Sequence, residues 1–237
     1  MRDEREQYLE LLGRAVDGSP ADQTEAVLFL DQTALTRFAN SHIHQNMALE
    51  DRKLWVRSVR GKRIGTTSTH LLDPDSVERA ITTASEIAQH QREDPDFRSL
   101  PAAKPCKELE SLSQRTRECT PEERASAIAK AIRVLGKENL TGAGFYSTSH
   151  HLLAVVNSLG VRRCHGYTTA SFNITAMSDD SAGNASHAST DMGDIDPQGL
   201  ARTASEKALA GRLPSEVEPG EYCVVLEEPA VASLVQY

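Results

Sequence analysis

Apolar positions recur along the chain in two rhythms, a helical repeat and a strict alternation, and the two take turns. Tyr8, Leu11, Leu12, Ala15 and Val16 fall on one face at helical spacing with Gly18 in the stop position, which predicts an opening helix. Its apolar stripe needs a sheet to cover. β-prone runs follow at residues 26–30 and 35–43, then at 53–58 and 63–69 around Gly61. Asp73-Pro74, an N-cap followed by a first-turn proline, opens a helix whose Val77, Ala80, Ile81, Ala84 and Ala88 share a face, and a first unit closes near His90.

From residue 91 to 119 the chain is charged and carries Pro95, Pro101 and Pro105 with little periodicity, the composition of a linker. Thr120-Pro121-Glu122-Glu123 then forms a capping box, and Ala125, Ile128, Ala129, Ile132 and Leu135 predict the buried face of a helix lasting to Gly136. Strands are expected at 142–147, 151–157 and 167–177, with a weaker run near Ser186. Asp196-Pro197 starts another helix ending at Gly211. Residues 221–226 read as a strand, and a helix opens at Pro229.

The two stretches repeat one another. Each has a helix, a β pair carrying Asn-Ser (Asn40-Ser41, then Asn157-Ser158), further strand, and a helix opened by Asp-Pro that contains Thr-Ala-Ser-Glu. Gly18 lies 22 positions before Asn40, and Gly136 lies 21 before Asn157. The tetrapeptide is offset: Thr83 is ten residues past Asp73 and Thr203 seven past Asp196, close to one helical turn of slippage. The fold class expected is α+β. Two related units, residues 1–92 and 117–213, carry mixed or antiparallel sheets with packed helices; 93–116 link them, and 219–237 begin a truncated third, C-terminal domain.

Composition narrows the function classes. The 237 residues carry 26 basic and 34 acidic groups, a net charge of −8, which repels a phosphate backbone and argues against direct nucleic-acid binding. No run approaches the roughly 18 apolar residues of a membrane span, and Met1-Arg2-Asp3-Glu4-Arg5-Glu6 has no apolar signal core, so a cytoplasmic protein is expected. Cys106, Cys119, Cys164 and Cys223 form no C-x-x-C knuckle, which predicts reduced structural thiols.

Individual motifs carry little chemistry. His42-Ile43-His44 puts two imidazoles on one strand face but lacks a third ligand. His150-His151 point to opposite faces and read as a turn and a strand start. Adjacent residues such as Cys164-His165 seldom form a catalytic pair, so a structural role is expected there. Gly61-Lys62 lacks the upstream glycine and following Ser/Thr of a phosphate loop. Arg57, Arg60, Lys62 and Arg63 read as a solvated face, and Asp179-Asp180 as a hairpin turn.

Longer blocks are more informative. Residues 37–45 (Arg-Phe-Ala-Asn-Ser-His-Ile-His-Gln) and 56–65 (Val-Arg-Ser-Val-Arg-Gly-Lys-Arg-Ile-Gly) resemble the first conserved block of the TldD/PmbA family, described as metalloproteases and as modulators of DNA gyrase. Val156-Asn157-Ser158-Leu159-Gly160 leading to Tyr167-Thr168 resembles its middle domain, and residues 219–227 the entry strand of its C-terminal domain. In the peptidase-active subunits of the family a following helix bears H-E-x-x-x-H, which holds zinc and activates water. Here residues 226–234 contain no histidine, so no zinc ligand carries over to this chain.

The resemblance implies a PmbA-type subunit acting in proteolysis of peptides or unfolded segments. It would pair with a zinc-bearing TldD-type subunit, or with itself, and whether the chain is an enzyme in its own right stays open. Asn157, Ser158 and Tyr167, beside the repeated strand motif, are the expected substrate-cleft residues; the other reading is an Asn-Ser turn and a core or interface tyrosine. A non-enzymatic peptide-binding or regulatory module of the gyrase-modulator type is the alternative.

Overall fold

Both units contribute three strands to one sheet. The computed structural model describes residues 2–107 and 109–236. The first unit consists of helix α1 (Arg2–Asp17), strands β1 (Gln23–Ala39), β2 (His42–Arg60) and β3 (Arg63–Thr69), and helix α2 (Pro74–His90). A short helix α3 (Gln114–Arg117) precedes the second unit: α4 (Pro121–Lys137), β4 (Thr141–Asn157), β5 (Arg162–Met177), β6 (Ala182–Ser189) and α5 (Pro197–Ala210). Helix α6 (Glu228–Gln236) follows. The strand order is β3-β2-β1-β4-β5-β6, antiparallel throughout. This is the α+β class that the two rhythms predict.

Alternation decides the faces. Most even-numbered residues of β1, β4 and β5, such as Leu28, Leu152, Ala154, Phe172 and Ile174, are buried under the helices. Odd-numbered ones face outward on a side that, among the described residues, no helix covers. The helix side holds two apolar cores. One lies under α1 and α2 around Leu12, Leu28, Leu54 and Ile81, and takes Leu152, Ala154 and Val156 from β4. The other lies under α4 and α5 around Ile128, Leu135, Phe172 and Ile174, and takes Phe38 from β1. Each long central strand therefore serves both cores, joined by unbroken β1–β4 pairing from Glu25↔Asn157 to Phe38↔Gly144. Burying a Leu or Val side chain contributes about 1.5–3 kcal/mol, so separating the units exposes several such groups at once.

The units are related through the sheet. Gly65 on β3 and Gly183 on β6 are 118 positions apart, and a Cβ on either would strike the helix above it. At Gly65 it would lie 2.1 Å from the Ala84 carbonyl and 2.4 Å from the Ala88 nitrogen; at Gly183, 2.2 Å from the Ala204 carbonyl and 2.5 Å from the Ala208 nitrogen. Ala84 and Ala204 belong to the two Thr-Ala-Ser-Glu tetrapeptides, which thus occupy the same place on the sheet. The apparent slippage lies at the other end of the helices: α2 has 17 residues and α5 has 14, an extra turn before the shared contact.

Both Asp-Pro caps and the Thr120–Glu123 capping box form as the sequence predicts. Other elements differ from the sequence pattern. Residues 26–30 and 35–43 are one strand plus a turn: Asn40 and Ser41, with φ of 49° and 59°, make the two-residue hairpin that joins β1 to β2. His150-His151 form no turn; they lie mid-strand in β4, where pairing to β1 and β5 on both sides carries the ladder through a polar stretch. On α4 the buried face is Arg124, Ile128, Ala131 and Leu135, with Ala129 exposed. Residues 221–226 form no strand, because no strand lies beside them to complete their backbone bonds.

The proline-rich stretch is strapped along one end of the sheet. Asp94 N donates to Lys62 O, Leu100 N to Gln23 Oε1, and Asn157 Nδ2 to Pro101 O, before Ser111 pairs in parallel with Tyr167 on the outer edge of β5. Asp179 and Asp180 sit in the β5–β6 turn closed by Ser178 N to Ser181 O.

Candidate functional site

The three sequence-predicted site residues separate into two environments. Asn157 and Ser158 close the β4–β5 turn. Asn157, 4% exposed, accepts from the backbone of Leu159 and Val161 through Oδ1 and donates to Pro101 O through Nδ2, so both ends of its amide are engaged. Ser158 N donates to Thr24 O, and Ser158 Oγ accepts from Thr24 N at 3.0 Å. The same clasp occurs at the other end of β1, where Ser41 N donates to Gly142 O and Ser41 Oγ accepts from Gly142 N at 3.0 Å. Each hairpin serine holds the first strand of the opposite unit.

Tyr167 stands on the open face. Its ring stacks on His151 (centroids 4.6 Å apart, 20° between planes) and on His165 (5.9 Å, 19°). Asp31 Oδ1 on β1 accepts from His151 Nδ1 at 2.5 Å, while His151 Nε2 lies 3.3 Å from Thr169 Oγ1. His165 Nε2 meets Ser111 Oγ at 3.0 Å. With Asp31 as a carboxylate, Nδ1 carries the proton, and in the neutral imidazole Nε2 accepts from the threonine hydroxyl. The order Asp–His–Thr is that of a hydrolytic triad, but the surrounding backbone N–H groups are spent in the sheet ladders, so no pair of donors is aimed at an oxyanion. The arrangement suits orientation and hydrogen bonding of a polar ligand. Below it Val27, Phe29, Trp55, Leu153 and Val155 form an apolar patch, with Phe29 42% and Trp55 45% exposed, and Lys53 Nζ lies 4.4 Å from the Trp55 ring centre. Sequence spacing shows none of this, because Asp31, His151 and Thr169 meet only through the strand register.

On the helix side the two cores are divided by a polar waist. Arg124 is 1% exposed and has no carboxylate partner among the described residues. Its Nε donates to Thr36 Oγ1 (3.1 Å), Nη1 to Cys119 O (3.1 Å) and Thr148 Oγ1 (3.3 Å), and Nη2 to Asn46 Oδ1 (3.4 Å). Beside it a cavity of about 380 Å3 is lined by Gln32, Ala34, Ala48, Glu50, Cys119 and His150, among others. Burial, reinforced by the Arg117 guanidinium, pushes the His150 imidazole below its ordinary range, so it is neutral here. Burial pushes the Cys119 thiol up, against the opposing pull of Arg124, which leaves it a protonated, unreactive thiol.

Zinc, which the family resemblance implies, does not fit the residues present. Among the described residues no group of three His, Cys, Asp or Glu side chains converges to hold a metal ion. His42 and His44 are exposed at the start of β2, with His42 Nδ1 on Asn40 O. No catalytic step through a metal is assigned to this chain. Among the described residues no helix is long and apolar enough to cross a membrane.

Comparison with known proteins accords with this geometry. The family model for domain 1 of PmbA/TldA metallopeptidases matches residues 31–88, and the model for their central domain matches residues 107–212. No curated protein sequence matches the chain. Solved structures that share the fold include the following three. TldE from Thermococcus kodakarensis is 18% identical with a TM-score of 0.73, over 86% of this chain and 47% of its own. A candidate modulator of DNA gyrase from Thermotoga maritima is 16% identical with a TM-score of 0.71, over 93% and 50%. Another from Bacteroides thetaiotaomicron is 17% identical with a TM-score of 0.76, over 90% and 52%. The chain spans about half the length of these structures. With two consecutive domains matched in order on one shared sheet, the chain belongs to the PmbA/TldD family.

Proposed function

We propose that this chain is the zinc-free, PmbA-type partner in a two-subunit peptidase, and that its open sheet face forms a wall of the space in which peptides or unfolded segments are held. The observation that carries this reading is the uncovered face itself. An apolar patch around Phe29 and Trp55 lies beside a hydrogen-bonding row of Asp31, His151, Tyr167 and His165, the mixture that a peptide presents in return. Tyr167 belongs to this surface directly; Asn157 and Ser158 act beneath it by fixing the turn. The zinc is supplied by a TldD-type subunit. The structural likeness to TldE supports that pairing.

The test is co-expression of the full-length protein with a TldD-type subunit, followed by zinc analysis and peptide cleavage assays. A complex that cuts peptides, with zinc on the partner and neither metal nor activity in this protein alone, is expected. Stoichiometric zinc and peptidase activity in this protein by itself would overturn the assignment. Binding to DNA gyrase without any peptidase partner would support a regulatory module instead.

A further inference from the structure

The internal repeat exposes one place where the units are not alike. Along β5, β6 covers the outer edge only from Ala170 onward, and the edge before it is met by Ser111–Leu112–Ser113. Thr168 N donates to Ser111 O (2.9 Å), Ser113 N donates to Thr168 Oγ1 (2.9 Å), and Leu112 lies over Gly166, its Cδ1 3.4 Å from where a Cβ would stand. The equivalent edge of the first unit, 118 positions earlier, is β2 before Leu54, where β3 begins to pair. There Tyr167 becomes Leu49, Thr168 becomes Glu50 and Gly166 becomes Ala48. Among the described residues no backbone or side-chain group bonds the main chain of His42–Lys53 from outside.

This edge is uncovered, and its uncharged stretch is bounded by a bulge at His44, where the β1 register shifts between Arg37 and Phe38, and by the charged run Glu50-Asp51-Arg52-Lys53. Residues 42–49 read His-Ile-His-Gln-Asn-Met-Ala-Leu, with no Lys, Arg, Asp, Glu or Pro, and Ile43 and Leu49 are exposed. Free edges in native sheets are normally blunted by such residues, by bulges or by a covering element. Ala48, Leu49 and Glu50 also line the mouth of the 380 Å3 cavity at the waist. A pocket thus opens where Leu112 rests in the other unit.

We propose that the outer edge of β2, residues 42–53, together with this cavity, binds an extended peptide segment. The segment runs parallel to β2, as Ser111–Leu112–Ser113 runs along β5, and seats one aliphatic side chain above Ala48. Backbone bonds give affinity and the pocket gives selectivity, as in other strand-addition sites. The inference rests on the proposed function only for the class of occupant. Because binding is measured on this protein without cleavage, failure of the two-subunit peptidase assignment leaves the result standing, and the reverse also holds.

The probe is a capped peptide with the sequence of residues 109–116, labelled for fluorescence anisotropy and, unlabelled, for amide hydrogen exchange on the protein. Saturable binding is expected, with new protection on even-numbered amides of β2 such as Asn46, Ala48 and Glu50, the parity that Thr168 N shows on β5. Ala48→Pro removes one outward donor and Ala48→Phe fills the pocket while keeping the backbone. Each is expected to weaken binding at least tenfold, as is replacing the leucine at probe position 112 by aspartate. If Ala48→Pro fails to fold, Ala48→Phe decides. Binding unchanged by Ala48→Phe, protection confined to the open face or to β5, or protection of β2 by self-association without peptide would overturn the proposal.

Discussion

Arg5 and Arg124 occupy the same place in the two units, 119 positions apart, the spacing that also relates the buried pairs Leu12/Ala131 and Val16/Leu135. They do different things. Arg124 is sealed in the waist and satisfied by two threonine hydroxyls, an asparagine oxygen and a backbone carbonyl. Arg5 is half-buried and rests its guanidinium over Gly166. The glycines that seat α2 and α5, by contrast, are interchangeable in geometry. Architecture is held in common at the helix–sheet contacts, and chemistry diverges where the units meet.

The glycine pair is the most sensitive test of that division. Gly65→Val and Gly183→Val each drive a side chain into helix backbone, and each should cost at least about 3 kcal/mol in urea unfolding. A large loss at one and none at the other would show that the units are not built alike. Next comes the arginine pair. Arg124→Ala strands several buried acceptors and should cost about 2–4 kcal/mol, since bonds to a charged group contribute about 1.5–3 kcal/mol. Arg5→Ala should cost under about 1 kcal/mol. Equal losses would erase the contrast.

The two serine clasps come third. Ser41→Ala and Ser158→Ala each remove one acceptor of a backbone N–H, and each should cost about 1 kcal/mol, with the two matched in thermal melts. Smallest is the pH effect of His150. Its proton affinity is lowered in the folded state, so below about pH 6.5, the ordinary range of histidine, the unfolded chain takes up a proton that the native one resists. Stability should decline as pH falls through that range, and His150→Gln should flatten the decline. An unchanged slope would show that the waist does not hold His150 neutral.

Local signals in the sequence located the helices well. The Asp-Pro caps, the capping box and the α2 face are short-range chemistry, written within one or two turns of chain. Strand limits were less legible, because β2 and β4 continue through polar stretches that only their neighbours on the sheet stabilise. Arg124 is illegible in the sequence for a related reason: its four acceptors come from β1, β2, β4 and the turn before α4, and no periodicity reports them. The row of Asp31, His151 and Thr169 depends on register across three strands. The family blocks single out Tyr167, but nothing in the sequence reports the two histidines stacked on its ring.

The exchange of strands between the cores sets the timetable of folding. When the first unit has left the ribosome, the core under α1 and α2 still lacks Leu152, Ala154 and Val156, more than sixty residues downstream of α2. Until β4 arrives, β1 is an open edge carrying Val27, Phe29 and Leu35, and the contacts that close it, such as Glu25↔Asn157, are among the most sequence-distant in the molecule. The nascent first unit is therefore a half-sheet waiting for its other half, at its greatest risk of pairing with the wrong chain during that interval.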